Sequence, residues 1–269
     1  IGWIRHLTPR PSCALPEMVL RFVAIAATKS LRPRLLGSME ISDHDKALLF
    51  VSARGSDKKP VLERLRASAQ AALERLSSPR AGVTVMSSLP IDPFRALSRA
   101  PGYEVTVELR SVSAQGSFSE TIHWLLSELR DRVDPLECAA VVGRDYVFKD
   151  CPPQPIRFQY LMRRRADFTH EAYSKRYAEV HSVFGLRTRG NEGYIQFHAD
   201  PQASHDVARS AGCGRWDFDS VAQLDLRSLT RFLVMGPYNA TLGGLEDETH
   251  FVDRAASSMF VSKIVASVR

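Results

Sequence analysis

Tyr173, Tyr177 and His181 stand at i, i+4 and i+8 in the stretch RADFTHEAYSKRYAEVHSVFG, residues 165–185. On a helix this spacing puts two phenols and an imidazole close to one face. All three groups ask for hydrogen-bond partners, which a plain packing face does not supply. An imidazole at a helix end suits a general acid or base, or a donor to a substrate oxygen. The competing reading is a histidine that caps the helix by bonding a backbone carbonyl. Tyr173 reads mainly as packing beside a pocket. Tyr177 reads as orienting His181 or reaching a cavity.

Two further groups of polar residues stand on short segments. In EGYIQFHAD, residues 192–200, Tyr194, Gln196 and His198 alternate with Ile195 and Phe197. On a strand the first three share one face. In FDSVAQLDL, residues 218–226, Asp219 can pair with a histidine or with one of Arg163–Arg165, or it can serve as a turn residue. Asp247, Glu248, His250 and Asp253 lie together, but without HxH or HExxH spacing they read as an acidic loop and not as a metal site. No GxGxxG, P-loop or GxSxG stands in the chain, which disfavours nucleotide-binding and hydrolase readings.

The elements that position these residues follow one rhythm, used twice. KALLFVSARG (46–55) reads as a strand. Residues 58–78 place Leu62, Leu65, Ala69, Leu73 and Leu76 at helical spacing, with Pro60 suited to the first turn. Strands follow at 81–89 and 103–112, a helix at 118–133 and a strand at 138–148. The order β-α-β-β-α-β is the ferredoxin-like pattern. After the stiff connector KDCPPQP, it repeats. Strand 156–164 leads to the opening helix, with Thr169 as its N-cap. Strands 192–200 and 218–226, a short inserted helix at 201–212, a helix at 228–236 and a strand at 257–268 complete the second half.

The reading is therefore α+β, with residues 1–43 as an N-terminal extension and two ferredoxin-like halves, 44–150 and 151–269. Each half leaves a four-stranded antiparallel sheet with helices on one face. Two such sheets facing each other make an α/β barrel, closed within the chain or by pairing as a homodimer. In that arrangement Ile195 and Phe197 are expected under the helices. Tyr194, Gln196 and His198 are then expected in the barrel interior, around a ligand pocket.

The chain has 269 residues, 44% hydrophobic and 25% charged, ordinary values for a soluble globular protein. Its charge of +6 is concentrated in Arg163–Arg165 and the N-terminal arm. No RNP motif, zinc finger or basic zipper accompanies it, so no nucleic-acid partner is expected. Cys13, Cys138, Cys151 and Cys213 lack CxxC spacing, which points to a reducing, cytoplasmic setting. The apolar core of EMVLRFVAIAATKSLR, about ten residues, is too short to span a bilayer.

Residues 156–265 resemble an EthD domain of the dimeric α/β barrel superfamily. The resemblance is carried by YLMRRR, DFTHEAYSKRYAEVH ending in His181, GYIQFH, WDFDSVAQL and EDETHFVD, in that order. The first half is similar in topology and not in motifs. The resemblance implies a cofactor-independent enzyme acting on an apolar or aromatic oxygenated small molecule. The expected reaction is proton abstraction next to a carbonyl, followed by elimination or ring closure, as in a dehydratase or cyclase. His181 would move the proton, and Tyr177 or His198 would hold the carbonyl oxygen. Tyr194, Gln196, Asp219 and Tyr173 would bind substrate. The same superfamily implies two rivals: a cofactor-free monooxygenase, and a non-catalytic module for a hydrophobic ligand, as in stress responses. Heme, known in related barrels, would need an axial histidine facing a wide cavity.

Overall fold

The computed structural model describes residues 39–269 apart from 56, 96–101 and 113–114. Most of the expected N-terminal extension lies outside the described residues. Among the described residues nine strands form one antiparallel sheet, and the first half supplies five: β1 (Glu40–Ile41), β2 (Asp45–Val51), β3 (Gly82–Ser88), β4 (Val105–Ser111) and β5 (Ala139–Lys149). Helices α1 (Lys59–Leu76) and α2 (Gln115–Ser127) connect them. The second half supplies β6 (Ile156–Met162), β7 (Gly193–Ala199), β8 (Ser220–Leu226) and β9 (Ser258–Val268). The two-fold β-α-β-β-α-β order is as the sequence predicts, and the second half carries extra helical turns.

Closure rests on the last strand of each half. Both are 11 residues long, against 7 for their barrel neighbours. The first part of β5 pairs with β2, and its remainder, Gly143 to Lys149, pairs with β7. In the same way β9 pairs first with β6 and then with β3. The sheet runs β5-β2-β4-β3-β9-β6-β8-β7 and returns to β5, with β1 added beside β5. Among the described residues each of the eight barrel strands is thus paired with two others of the barrel, and the short β1 is paired with β5 alone. Gly143 stands where β5 changes partners. A Cβ there would lie 1.9 Å from the His198 carbonyl oxygen, so only glycine permits this approach.

The barrel interior is filled. One layer is apolar: Leu48, Phe50, Leu161, Phe197, Val221 and Phe260. The next is charged. Lys46 donates to Asp145 at 2.9 Å and to Gln223 at 2.7 Å. Arg157 donates to Glu108 at 2.8 Å and grips Asp225 through two nitrogens at 2.7 and 3.2 Å. Lys46 also lies 3.2 Å from Glu108. Burial pushes the Glu108 carboxyl up, but Lys46, Arg157 and Arg110 outweigh it and hold the group well below the usual carboxylate range.

This corrects the expected facing of β7. Phe197 points into the barrel, and Tyr194, Gln196 and His198 lie on the outer face beneath the helices. Alternation defines two faces but does not name the inner one when both are buried.

The outer face of the first half is covered by α1, α2 and a helix lent by the second half, α5 (Pro201–Ala211). That helix starts on Pro201, is capped by Asp200 accepting from the Ala203 N–H, and stops at Gly212 with φ 79°. The second half is covered by α3 (His170–Arg176), a π-helical turn (Tyr177–His181) and α4 (Ser182–Arg187). Three short helices follow: α6 (Leu229–Val234), α7 (Gly236–Ala240) and α8 (Gly244–Glu248). Because α5 packs over the first half, the junction of β5 and β7 lies open beside α3.

Candidate active site

At that junction lies a cleft of about 1210 Å³. One wall is α3 with the π-helical turn that follows it, presenting His170, Ser174 and Ala178. Met39 and Ile41 of the β1 region face it, and Tyr146 and His198 lie between them. The cleft is outside the barrel, in contrast to the interior pocket expected from the sequence. The interior cannot serve, because the apolar and charged layers occupy it.

Thr169 starts α3 by accepting the Ala172 N–H at 3.1 Å, as expected. The next residue, His170, is thereby set above the start of β8. Its Nδ1 lies 2.9 Å from Asp219 Oδ1. Asp219 also accepts the Arg164 backbone N–H at 2.8 Å and pairs with the Arg164 guanidinium. Burial raises the Asp219 carboxyl, but the His170 and Arg164 bonds overcome it and hold the group below its usual range. An ionised carboxylate only accepts, so Nδ1 of His170 carries the proton. The lone pair of the neutral ring is then on Nε2, which lies 3.5 Å from Ser174 Oγ. The sequence reading left Asp219 open between pairing with a histidine, pairing with an arginine of 163–165 and a turn role; the structure gives it both partners.

His198 is held differently. Gln196 donates its Nε2 to the Tyr177 carbonyl at 3.0 Å and to the Tyr194 hydroxyl at 2.6 Å. The carbonyl accepts only, which fixes the amide with Oε1 toward His198 Nε2, 3.0 Å away. His198 therefore donates from Nε2 and keeps its lone pair on Nδ1. Burial, and behind it the nearby His170 ring, lowers the His198 imidazole to about 3, so it is neutral at ordinary pH.

The expected trio of Tyr177, His181 and His198 does come together, as a row of rings. Tyr146 stacks on His198 at 4.1 Å, Tyr177 follows at 5.3 Å, and His181 lies 5.7 Å beyond Tyr177. Tyr177 is fully buried, and burial drives its hydroxyl pKa well upward. Tyr173 bonds Ser220 through its hydroxyl at 2.6 Å and packs on Phe251. Tyr194 is buried as well, beneath the helices and against Phe148.

His181 does not line the cleft. Its Nδ1 lies 3.0 Å from Asp247, and its Nε2 lies 3.9 Å from Glu248. Arg176 and Arg254 complete this cluster, which ties α8 to the π-helical turn. His181 therefore does not reach the barrel interior, where the sequence reading expected the pocket. Among the described residues no three His, Cys, Asp or Glu side chains are grouped to hold a metal ion.

The residue that sequence reasoning missed is His170. It sits four residues before Ser174 and directly after the helix cap, but its partner Asp219 is 49 residues away. The signal was Asp219 itself, a carboxylate in need of a partner at a strand start.

No curated protein matches the chain. Among solved structures, an anthrone oxidase-like protein superposes with a TM-score of 0.53 at 10% identity, covering 84% of this chain and 93% of that one. A mutant chlorite dismutase from Candidatus Nitrospira defluvii superposes with a TM-score of 0.50 at 8% identity, covering 82% and 92%. At such identities the likeness is one of fold. Residues 165–255 match the family model of the EthD domain, which takes in α3, the π-helical turn, β7, β8 and α8. Over residues 165–255 the chain is thus similar to the EthD domain, and its fold is that of the dimeric α/β barrel, closed here within one polypeptide.

Proposed function

We propose that the chain is an enzyme that removes a proton next to a carbonyl group in an apolar or aromatic oxygenated small molecule, working in the outer cleft. The observation that carries this reading is the His170–Asp219 pair on the cleft wall. Asp219 holds the ring in the tautomer whose Nε2 is free to accept a proton, and it stabilises the imidazolium once formed. The carboxylate is itself kept ionised by Arg164.

The rest of the cleft fits a small, partly apolar substrate. Met39, Ile41, Ala178 and Ala199 supply apolar contacts, and Lys175 supplies a cation for the oxygen on which charge develops. His198 offers a lone pair to a substrate hydroxyl. His170, protonated in the first step, returns that proton either to the departing hydroxyl, which leaves as water, or to the alkoxide formed when the carbanion attacks a second carbonyl of the same molecule; the first outcome is a dehydratase reaction and the second a cyclase reaction. Neither cleft histidine stands clear as an axial ligand. His198 is sandwiched between Tyr146 and Tyr177, and His170 faces Ser174.

The test is hydrogen–deuterium exchange at the acidic C–H of a panel of aryl ketones, anthrone and hydroxylated aryl ketones among them, in D2O under nitrogen. The reading predicts catalysed exchange, and a dehydrated or cyclised product, without oxygen. Product formed only with matching oxygen uptake would make the protein a cofactor-free monooxygenase instead. Absence of exchange across the panel would refute proton abstraction.

A further inference from the structure

We propose that Ser174 is a nucleophile and that the cleft also cleaves small esters by acyl transfer. The inference rests on the reading of His170 as a base and extends it to a second reaction. Asp219 Oδ1, His170 Nδ1, His170 Nε2 and Ser174 Oγ stand in sequence, with separations of 2.9 Å for the carboxylate–imidazole contact and 3.5 Å for the imidazole–hydroxyl contact. This is the arrangement of a serine activated by a histidine that a carboxylate orients. The outer contact is long, as such contacts often are before a substrate tightens them. His170 and Ser174 are four apart on α3, so the helix presents them on one side. Both line the cleft, and Ser174 is half-buried, within reach of a ligand.

The chemistry balances with water as the only co-reactant. Ser174 Oγ attacks the ester carbonyl carbon while its proton passes to His170 Nε2. The carbon–oxygen bond to the alcohol breaks, and the alcohol leaves with that proton. Water then attacks the acyl carbon and gives a proton to His170. The carboxylic acid departs and Ser174 regains its hydrogen. Lys175, on the same wall, is the cation available to the tetrahedral oxyanion. Ala178 and Ala199 leave room for a short acyl chain.

The experiment uses the whole chain with p-nitrophenyl acetate as substrate and a fluorophosphonate as covalent probe. The proposal predicts p-nitrophenol release and a phosphonyl adduct that maps to Ser174 by mass spectrometry. Ser174→Ala should abolish the adduct and slow hydrolysis at least about 100-fold at unchanged Tm. Ser174→Cys should restore a nucleophile, seen as iodoacetamide labelling that slows when His170→Gln is added. An adduct elsewhere, no adduct, or hydrolysis at full rate in Ser174→Ala overturns the proposal. Deuterium exchange on the same samples separates the two readings. Exchange without an adduct refutes the nucleophile alone, and the absence of both refutes the base as well.

Discussion

His170 Nδ1 lies 2.9 Å from Asp219 Oδ1, joining the first turn of α3 to the start of β8 beside the cleft. Arg164, from the end of β6, holds the same carboxylate through its backbone N–H and its guanidinium. Three segments of the second half thus meet at one carboxylate. The proposed base is positioned by strand ends and a helix cap.

Asp219 acts through His170, so its replacement should change the pH profile as well as the rate. Asp219→Asn removes the acceptor that fixes the tautomer and offers a donor in its place. The expected outcome is exchange slowed at least about 100-fold with KM little changed. Asp219→Glu should recover part of the rate. Equal rates for wild type and Asp219→Asn in a pH series would contradict the assigned role.

His198 makes stability depend on pH. Its folded value of about 3 lies below the unfolded value of about 6.5. Between those limits the unfolded chain binds a proton that the fold refuses. The stability His198 contributes is therefore complete above about pH 6.5 and is lost as pH falls toward 3. Urea titrations should show wild type losing about 2 kcal/mol more than His198→Gln between pH 7 and pH 5. Parallel curves would mean that His198 is not held neutral.

The charged layer inside the barrel is expected to be fragile when broken singly. Arg157→Met leaves Glu108 and Asp225 buried without their shared cation. The cost should be about 3–5 kcal/mol by urea titration, because buried uncompensated charge is expensive. Adding Glu108→Gln and Asp225→Asn should return part of it. A single-variant loss below about 1 kcal/mol would show that water reaches this layer.

The order of elements was legible because each is marked locally. Thr169, Asp200, Pro201 and Gly212 announce helix ends, and the alternation in β4 and β7 announces strands. What was not legible depends on distance or on assembly. Ile195 and Phe197 were expected under helices, since nothing local tells a filled barrel interior from a helix-covered face. A pairing of Asp219 with a histidine was one of the readings its sequence left open beside a turn role, but which histidine meets it depends on how α3 lies across β8. His181 drew notice by its place at a helix end, yet two carboxylates of α8 engage it. The π-helical turn at Tyr177–His181 has no sequence mark, though it lies where Gln196 bonds the Tyr177 carbonyl.

The central claim is that the base of this protein is His170 in the outer cleft and not His181 behind the row of rings. The most direct measurement compares deuterium exchange into a responsive hydroxyaryl ketone by His170→Ala and His181→Ala, both checked for folding by circular dichroism. The account predicts that His170→Ala loses exchange by about 100-fold or more, while His181→Ala keeps it within about threefold of wild type. Exchange lost in His181→Ala and kept in His170→Ala would contradict it.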